Sequence, residues 1–245
     1  MIYILLPAYN EEKNLPLLIS RIAEICTSHL DYKIVVVNDG SSDATPDILQ
    51  NFSAKLPLTV LNHPHNRGLG RAIQTGFNHI VKAADPHDLL ITLDADNTHD
   101  PETMVSLIDK SKENYDVVIA SRYVMKGKQI GVPWFRKLLS KGSGLLFNVF
   151  FPNKNVRDYT SGYRLYRISA LQKAMAHYGN RFIEEPGFVC MVEILTNMMH
   201  LSFTISEVPL ILRYDLKAGK SKIKIVKTII QYIFFITKSC IKRIF

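Results

Sequence analysis

The chain predicts an α/β domain with a mostly parallel central sheet. Two observations carry that expectation. Through the first half, short strand-like runs alternate with longer helical patterns. Those runs are apolar and often β-branched throughout, as strands covered by helices on both faces must be. At 245 residues and 47% hydrophobic composition, the chain has ample surface to bury a core.

The first strand is Ile2–Leu6, ending at Pro7 and the polar Asn10-Glu11-Glu12. It lacks a basic leader, so it reads as a buried strand and not a signal peptide. A helix follows near Leu15–Ser28, then a strand at Ile34–Val37. Thr45–Lys55 is helical, with Pro46 near the start, where a missing N–H costs little. Leu58–Leu61 is a strand, Gly70–Ala84 a helix and Leu89–Leu93 a strand. Pro101–Asn114 is a helix and Val117–Ala120 a strand. In the second half Trp134–Phe151 is a long helical pattern. Asp158–Tyr166 is a polar loop entering a strand, Gly187–Met199 a helix and Ser202–Leu212 a strand. With no repeat or clear linker, the simplest division is one domain over residues 1–222 and a tail over 223–245.

Charge locates the tail. The chain holds 30 Lys+Arg against 22 Asp+Glu, a formal +8. Eight of the basic residues lie between Leu216 and Phe245, which contains no acid. The body is therefore charge-balanced. In the tail Lys224, Lys227, Gln231, Lys238 and Lys242 gather on one side of a helix, with Phe235 breaking the pattern. Val226, Ile229, Ile230, Ile233, Thr237 and Ile244 gather on the other. The uncharged run 228–237 would span only ~15 Å as a helix, against ~30 Å of hydrocarbon. It fits a helix lying in a membrane interface, or one packed on the body or on a partner subunit. The apolar stripe of Trp134–Phe151 fits either a core face or a membrane face. Nucleic acid is disfavoured as a partner, because the basic residues are interleaved with aliphatics. Three scattered cysteines, Cys26, Cys190 and Cys240, make neither a disulfide framework nor a zinc site, and fit a reducing cytosol.

In parallel sheets ligands bind beyond the carboxyl ends of the strands, and the polar motifs lie there. Asp94-Ala-Asp96 can share a hard divalent cation, Mg²⁺ or Mn²⁺, bridging to a diphosphate. It can equally be a solvated turn. Asp39, in Val35-Val-Val-Asn-Asp-Gly-Ser-Ser-Asp43, can accept hydrogen bonds from a nucleobase or ribose, or belong to a glycine turn and helix cap. Pro7-Ala-Tyr-Asn-Glu-Glu12 offers a ring and a carboxylate. Asn66-Arg-Gly-Leu-Gly-Arg71 is not a dinucleotide fingerprint, since Ile73 takes the third glycine position. It reads as a loop and helix N-terminus near phosphate. His63, His65 and His99 read as solvent-exposed or helix-start residues.

In this order the motifs resemble the inverting family-2 glycosyltransferases of GT-A fold. Ala120-Ser-Arg-Tyr123, Trp134-Phe-Arg-Lys-Leu-Leu-Ser140, Arg157-Asp-Tyr-Thr-Ser-Gly-Tyr-Arg164 and Glu207-Val-Pro…Gly219-Lys-Ser-Lys222 are similar to the dolichol-phosphate mannosyltransferase, or polyprenyl-phosphate sugar synthase, branch. The resemblance implies that Pro7, Tyr9, Glu11 and Asp39 hold the donor's base and ribose. Asp94 and Asp96 would form the metal–diphosphate site, and Arg122 would lie between donor and acceptor phosphates. Arg136 and Ser140 would receive a lipid phosphate, and Arg164, Lys217 and Lys222 would be cations for the phosphates. Three departures stand out: Thr98 where many relatives have Gln, Asn38 where many have Asp, and the choice between Arg213 and Lys217 for the usual arginine.

The implied reaction is metal-dependent, inverting transfer of a sugar to a polyprenyl phosphate on the cytoplasmic face of a membrane. Mannose from a GDP-linked donor comes first; glucose or an N-acetylhexosamine from UDP comes next. A saccharide or protein hydroxyl acceptor, or a non-catalytic nucleotide-sugar binding module, are the alternatives. A homo-oligomer or a small membrane partner is a further expectation. A hydroxyl acceptor needs a general base. A phosphate monoester, with a second pKa of about 6, needs only positioning and charge neutralisation.

Overall fold

The computed structural model describes residues 1–27, 31–219 and 225–244. Strand and helix alternate from the start. β1 (Ile2–Ala8), β2 (Tyr32–Asn38), β3 (Leu58–Asn62) and β4 (Leu89–Thr92) lead into α1 (Leu15–Thr27), α2 (Thr45–Ser53), α3 (Leu69–Ala83) and α4 (Thr103–Ser111) respectively. There follow β5 (Val117–Ser121), β6 (Lys128–Ile130), α5 (Trp134–Phe150), β7 (Arg164–Arg167), α6 (Ile168–Tyr178) and α7 (Cys190–His200). β8 (Ile205–Pro209), β9 (Ile211–Arg213) and α8 (Ile225–Ile244) complete the order.

The main sheet runs β3-β2-β1-β4-β7-β5-β8. All its pairings are parallel except those of β7, which lies antiparallel between β4 and β5. β6 and β9 form a small separate pair. Alternation along β1 divides the core. Tyr3 and Leu5 pack with α3, α6 and α7 on one face, whereas Ile4, Leu6 and Ala8 pack with α1, α2 and α4 on the other. Each such fully buried aliphatic contributes about 1.5–3 kcal/mol.

In the second half one expectation changes and one helix is added. Ser202–Leu212 is not one strand, because the chain turns at Leu210 and β9 leaves the main sheet to pair with β6. Helix α6 follows directly on β7, carried by buried Ile168, Ala170, Leu171 and Ala174 and stopped by Gly179 at φ +55°.

The two amphipathic helices lie together. Among its residues α5 buries only Phe147, while Trp134, Leu138, Leu145 and Val149 are each more than 60% exposed. Its stripe is therefore not a core face. Helix α8 docks against it and the body: Tyr232 meets Phe147 edge-on, Phe235 meets Phe151, and Phe235 and Ile236 join the main core. Lys238 pairs with Glu184 at 3.0 Å. Phe235, which breaks the amphipathic pattern, is thus the docking residue. The aliphatics Ile229, Ile230 and Ile233, with Phe234, stay exposed.

Candidate active site

Asp94 and Asp96 follow β4 directly, held in place by local bonds. Asp96 Oδ1 accepts from the Thr98 hydroxyl at 2.6 Å and from the Thr98 N–H at 3.1 Å. Its Oδ2 pairs with the Lys217 ammonium. Burial works against the Asp96 charge, but Lys217 outweighs it and holds the carboxyl below its usual range. Asp94 shifts the other way: burial raises it, and Asp96 adds to the rise against the pull of His99 and Lys217. The Asp94 N–H donates to His99 Nδ1 at 3.2 Å, which leaves His99 Nε2 to carry the proton, 3.9 Å from Asp94 Oδ2.

Of the two cations left open in the C-terminal segment, Lys217 reaches the site. Arg213 instead pairs with Asp215 at 2.8 Å in an exposed position. Lys222 lies outside the described residues. The segment carrying Lys217 is tied to the first loop, since Asn14 Nδ2 donates to Ala218 O and the Ala218 N–H donates to Asn14 Oδ1. Asn14 also donates to Glu11 Oε2 at 2.6 Å. Glu11 is buried there, while Pro7 and Tyr9 remain half-buried at the end of β1.

Asp39 is engaged within the protein. Its Oδ1 accepts from the Arg67 N–H at 2.9 Å and lies 2.6 Å from His63 Nδ1; its Oδ2 accepts from the Gly68 N–H at 2.8 Å. His63 Nε2 is 2.9 Å from Thr75 Oγ1. This carboxylate organises the loop ahead of α3. The three histidines are corrected as well: His63, in this network, and His99, beside Asp94, are buried, and of the three only His65 is exposed. The N-terminus of α3 is covered as well. A Cβ on Gly70 would sit 1.9 Å from Glu185 O, and the Gly70 N–H donates to Pro186 O at 2.9 Å. It is not open to phosphate.

The second half of the site lies beyond β5. The fully buried Asp158 grips Arg122 through both carboxylate oxygens: Nε to Oδ2 at 2.8 Å and Nη2 to Oδ1 at 2.6 Å. Nη2 also donates to Thr160 Oγ1 at 2.7 Å. Burial alone would weaken the guanidinium charge and that of Asp158, but each outweighs it for the other, so both stay ionised. Arg136 donates to Tyr214 OH at 2.9 Å, and Tyr123 OH donates to Ser140 Oγ at 2.6 Å. Arg122, Arg136, Ser140 and Thr160 line a cavity of about 230 Å³ between α5 and α8, closed elsewhere by Leu139, Ile229 and Tyr232.

Arg164 is a correction. It is fully buried below the site, with Nη1 on Met191 O at 2.7 Å and Nη2 on Tyr159 O at 2.8 Å. It braces the loop between α5 and β7 and reaches no surface where a phosphate could bind. Sequence reading gave no role to Asp158, Thr160 or Glu207, which act through partners distant in the chain. The one available signal was Asp158 within the polar run 157–164.

A mostly parallel sheet with helices on both faces, in the strand order found here, is the GT-A glycosyltransferase fold. Glucosyl-3-phosphoglycerate synthase from Mycobacterium tuberculosis, crystallised with Mn²⁺, UDP and phosphoglyceric acid, shares this fold. It matches with a TM-score of 0.64 over 90% of this chain and 72% of that one, at 18% identity. Residues 3–174 match glycosyl transferase family 2, and the chain belongs to that family. Among curated relatives it is 35% identical to the dolichol-phosphate mannosyltransferase of Pyrococcus furiosus over 94% of this chain, spanning 61% of that protein's length. It is 30% identical to the polyprenol monophosphomannose synthase of Mycolicibacterium smegmatis over 84% of this chain and 75% of that one.

Proposed function

We propose that the protein transfers a hexose, mannose first, from a nucleotide sugar to a polyprenyl phosphate at a membrane surface. One observation carries this reading. The cavity that holds Arg122, Arg136 and Ser140 is lined by two arginines, hydroxyls, an amide and apolar groups, with no carboxylate or histidine among the described lining residues. Such a cavity has no general base for a hydroxyl acceptor, yet it suits an acceptor that is already an anion. A phosphate oxygen held there attacks C1 of the sugar. The bond from C1 to the nucleoside diphosphate breaks and the anomeric centre inverts. Arg122 and Arg136 orient the acceptor, and the guanidinium geometry favours bidentate contact with phosphate.

Asp94 and Asp96 are hard oxygen donors suited to Mg²⁺ or Mn²⁺, and the Lys217 ammonium on Asp96 marks a cation position there. Among the described residues no cluster of three His, Cys, Asp or Glu forms a metal site, so diphosphate and water oxygens would complete the shell. A metal bound there supplies charge neutralisation for the departing diphosphate. Pro7, Tyr9 and Glu11 border the donor side, and Lys217, paired with Asp96, is a cation for the diphosphate.

The lipid reading extends to the surface. Leu139 of α5 and Ile229 of α8 both line the cavity and are exposed, so the cavity is continuous with the apolar faces of the two helices. Among the described residues no helix is long and apolar enough to cross a membrane. Residues 1–222 would form the catalytic part and 223–245 a peripheral contact, on a cytoplasmic face.

The test is a panel of radiolabelled GDP- and UDP-sugars with polyprenyl phosphate and Mg²⁺ or Mn²⁺. Labelled lipid is expected from the wild type and not from Asp96→Ala. Label in a soluble sugar acceptor and none in lipid would overturn the reading.

A further inference from the structure

Arg122 has two jobs to reconcile. It must stay charged in a half-closed cavity, and it must present one edge of its guanidinium in a fixed direction. Its own position at the end of β5 does neither. The structure assigns both tasks to Asp158, and we propose that Asp158 is a positioning residue for sugar transfer, acting wholly through Arg122. The proposal rests on the phosphate-acceptor reading for what Arg122 does.

The geometry is specific. Asp158 is fully buried and lines no part of the cavity, so it does not touch the acceptor. Its Oδ2 accepts from both the main-chain N–H of Arg122, at 3.0 Å, and Nε, at 2.8 Å. Its Oδ1 accepts from Nη2 at 2.6 Å and from the Ser161 N–H at 3.1 Å. One carboxylate thus clamps both the backbone and the side chain of the same arginine. With Nε and Nη2 taken, Nη1 is the nitrogen left for a ligand in the cavity that Arg122 lines. The far side of the guanidinium is held by Tyr123, whose ring centroid is 5.3 Å from Cζ and whose hydroxyl donates to Ser140.

Asp158 is itself fixed from behind. Glu207, on β8, accepts from the main-chain N–H groups of Arg157 and Asp158 at 2.9 and 2.8 Å through one oxygen. The order of support is therefore β8, Glu207, Asp158, Arg122, cavity. An asparagine at 158 keeps the shape but turns one acceptor into a donor, which must then face the N–H groups of Arg122 or Ser161. The arginine loses its clamp without leaving an uncompensated negative charge.

A double-mutant cycle tests this with Arg122→Gln, Asp158→Asn and the pair together, assayed for transfer to polyprenyl phosphate. Asp158→Asn alone should lower kcat/KM for the acceptor by about 100-fold, the scale of a small misplacement, with the donor KM unchanged. In the Arg122→Gln background the same change should cost about twofold or less. Glu207→Gln, which keeps the accepting oxygen, should retain most activity. Equal losses in both backgrounds, or a matching rise in donor KM, would overturn the proposal. The Arg122 Nε–H resonance gives a readout free of the acceptor: protected from solvent exchange in the wild type, it should exchange freely in Asp158→Asn. Wild type inactive on polyprenyl phosphate would refute the function reading. The resonance then decides alone, and undiminished protection in the variant overturns the positioning role.

Discussion

Removing Arg122 alone leaves Asp158 fully buried without its hydrogen-bonded cation, and breaking such a pair costs about 3–5 kcal/mol. Arg122→Ala should therefore melt well below the wild type, while Arg122→Gln with Asp158→Asn should recover most of that loss. Equal melting temperatures for Arg122→Ala and wild type would refute the clamp as a buried charge pair. Glu193 is a second residue with a readable signature. It accepts the N–H groups of Glu184 and Glu185 at 2.9 Å each, and burial outweighs them to lift its carboxyl from 4.5 to about 7. A raised carboxyl binds its proton more tightly in the folded chain. Stability from this group is full below pH 4.5 and is lost as pH rises towards about 7. Glu193→Gln removes that dependence, so urea titrations should show the variant gaining on the wild type over this range, by at most about 3 kcal/mol. Parallel stability curves would show that Glu193 does not carry the shift.

Elements differ in how far their roles could be read from the chain. β1 to β5 and α1 to α4 were legible because apolar periodicity and buried location coincide: Ile4 and Val35 read as core and are core. The carboxylates at the end of β4 were legible for the same reason, since a strand end locates them. The roles of Asp39, His63 and Arg164 were not, because each is settled by a partner that no local pattern names. Asp39 meets His63 and Gly68, and Arg164 meets Met191. Helices α5 and α8 sit between these cases. Their periodicity was plain, but an apolar stripe does not say what covers it. In α8 the docking side uses Tyr232, Phe235 and Ile236, which leaves Ile230, Ile233 and Phe234 outward. Replacing those three with Ser should reduce sedimentation with anionic liposomes by at least about tenfold, since at ~0.8 kcal/mol per buried CH₂ the loss of only two such groups is enough. Undiminished sedimentation would remove α8 from the membrane contact.

At the scale of the molecule, the +8 formal charge belongs to the C-terminal thirty residues, not to the body. Yet α8 is not detachable, because Phe235 and Ile236 are part of the main core and Lys238 is paired to Glu184. Deleting residues 225–245 should lower the melting temperature as well as weaken any liposome binding. An unchanged melting temperature would mean that α8 does not dock in solution. The point substitutions above separate the two effects. The antiparallel strand β7 has a consequence of a different kind. Because it runs against its neighbours, it begins where β4 and β5 end, and the loop entering it carries Asp158 to Arg122 and Gly162 to the side of Asp94. The strand inserted between β4 and β5 sets their spacing at two ladder steps, about 10 Å. That distance is a ruler made of backbone. Side-chain changes can retune what is held at either end, but bringing the two ends closer or farther apart would require rebuilding the sheet.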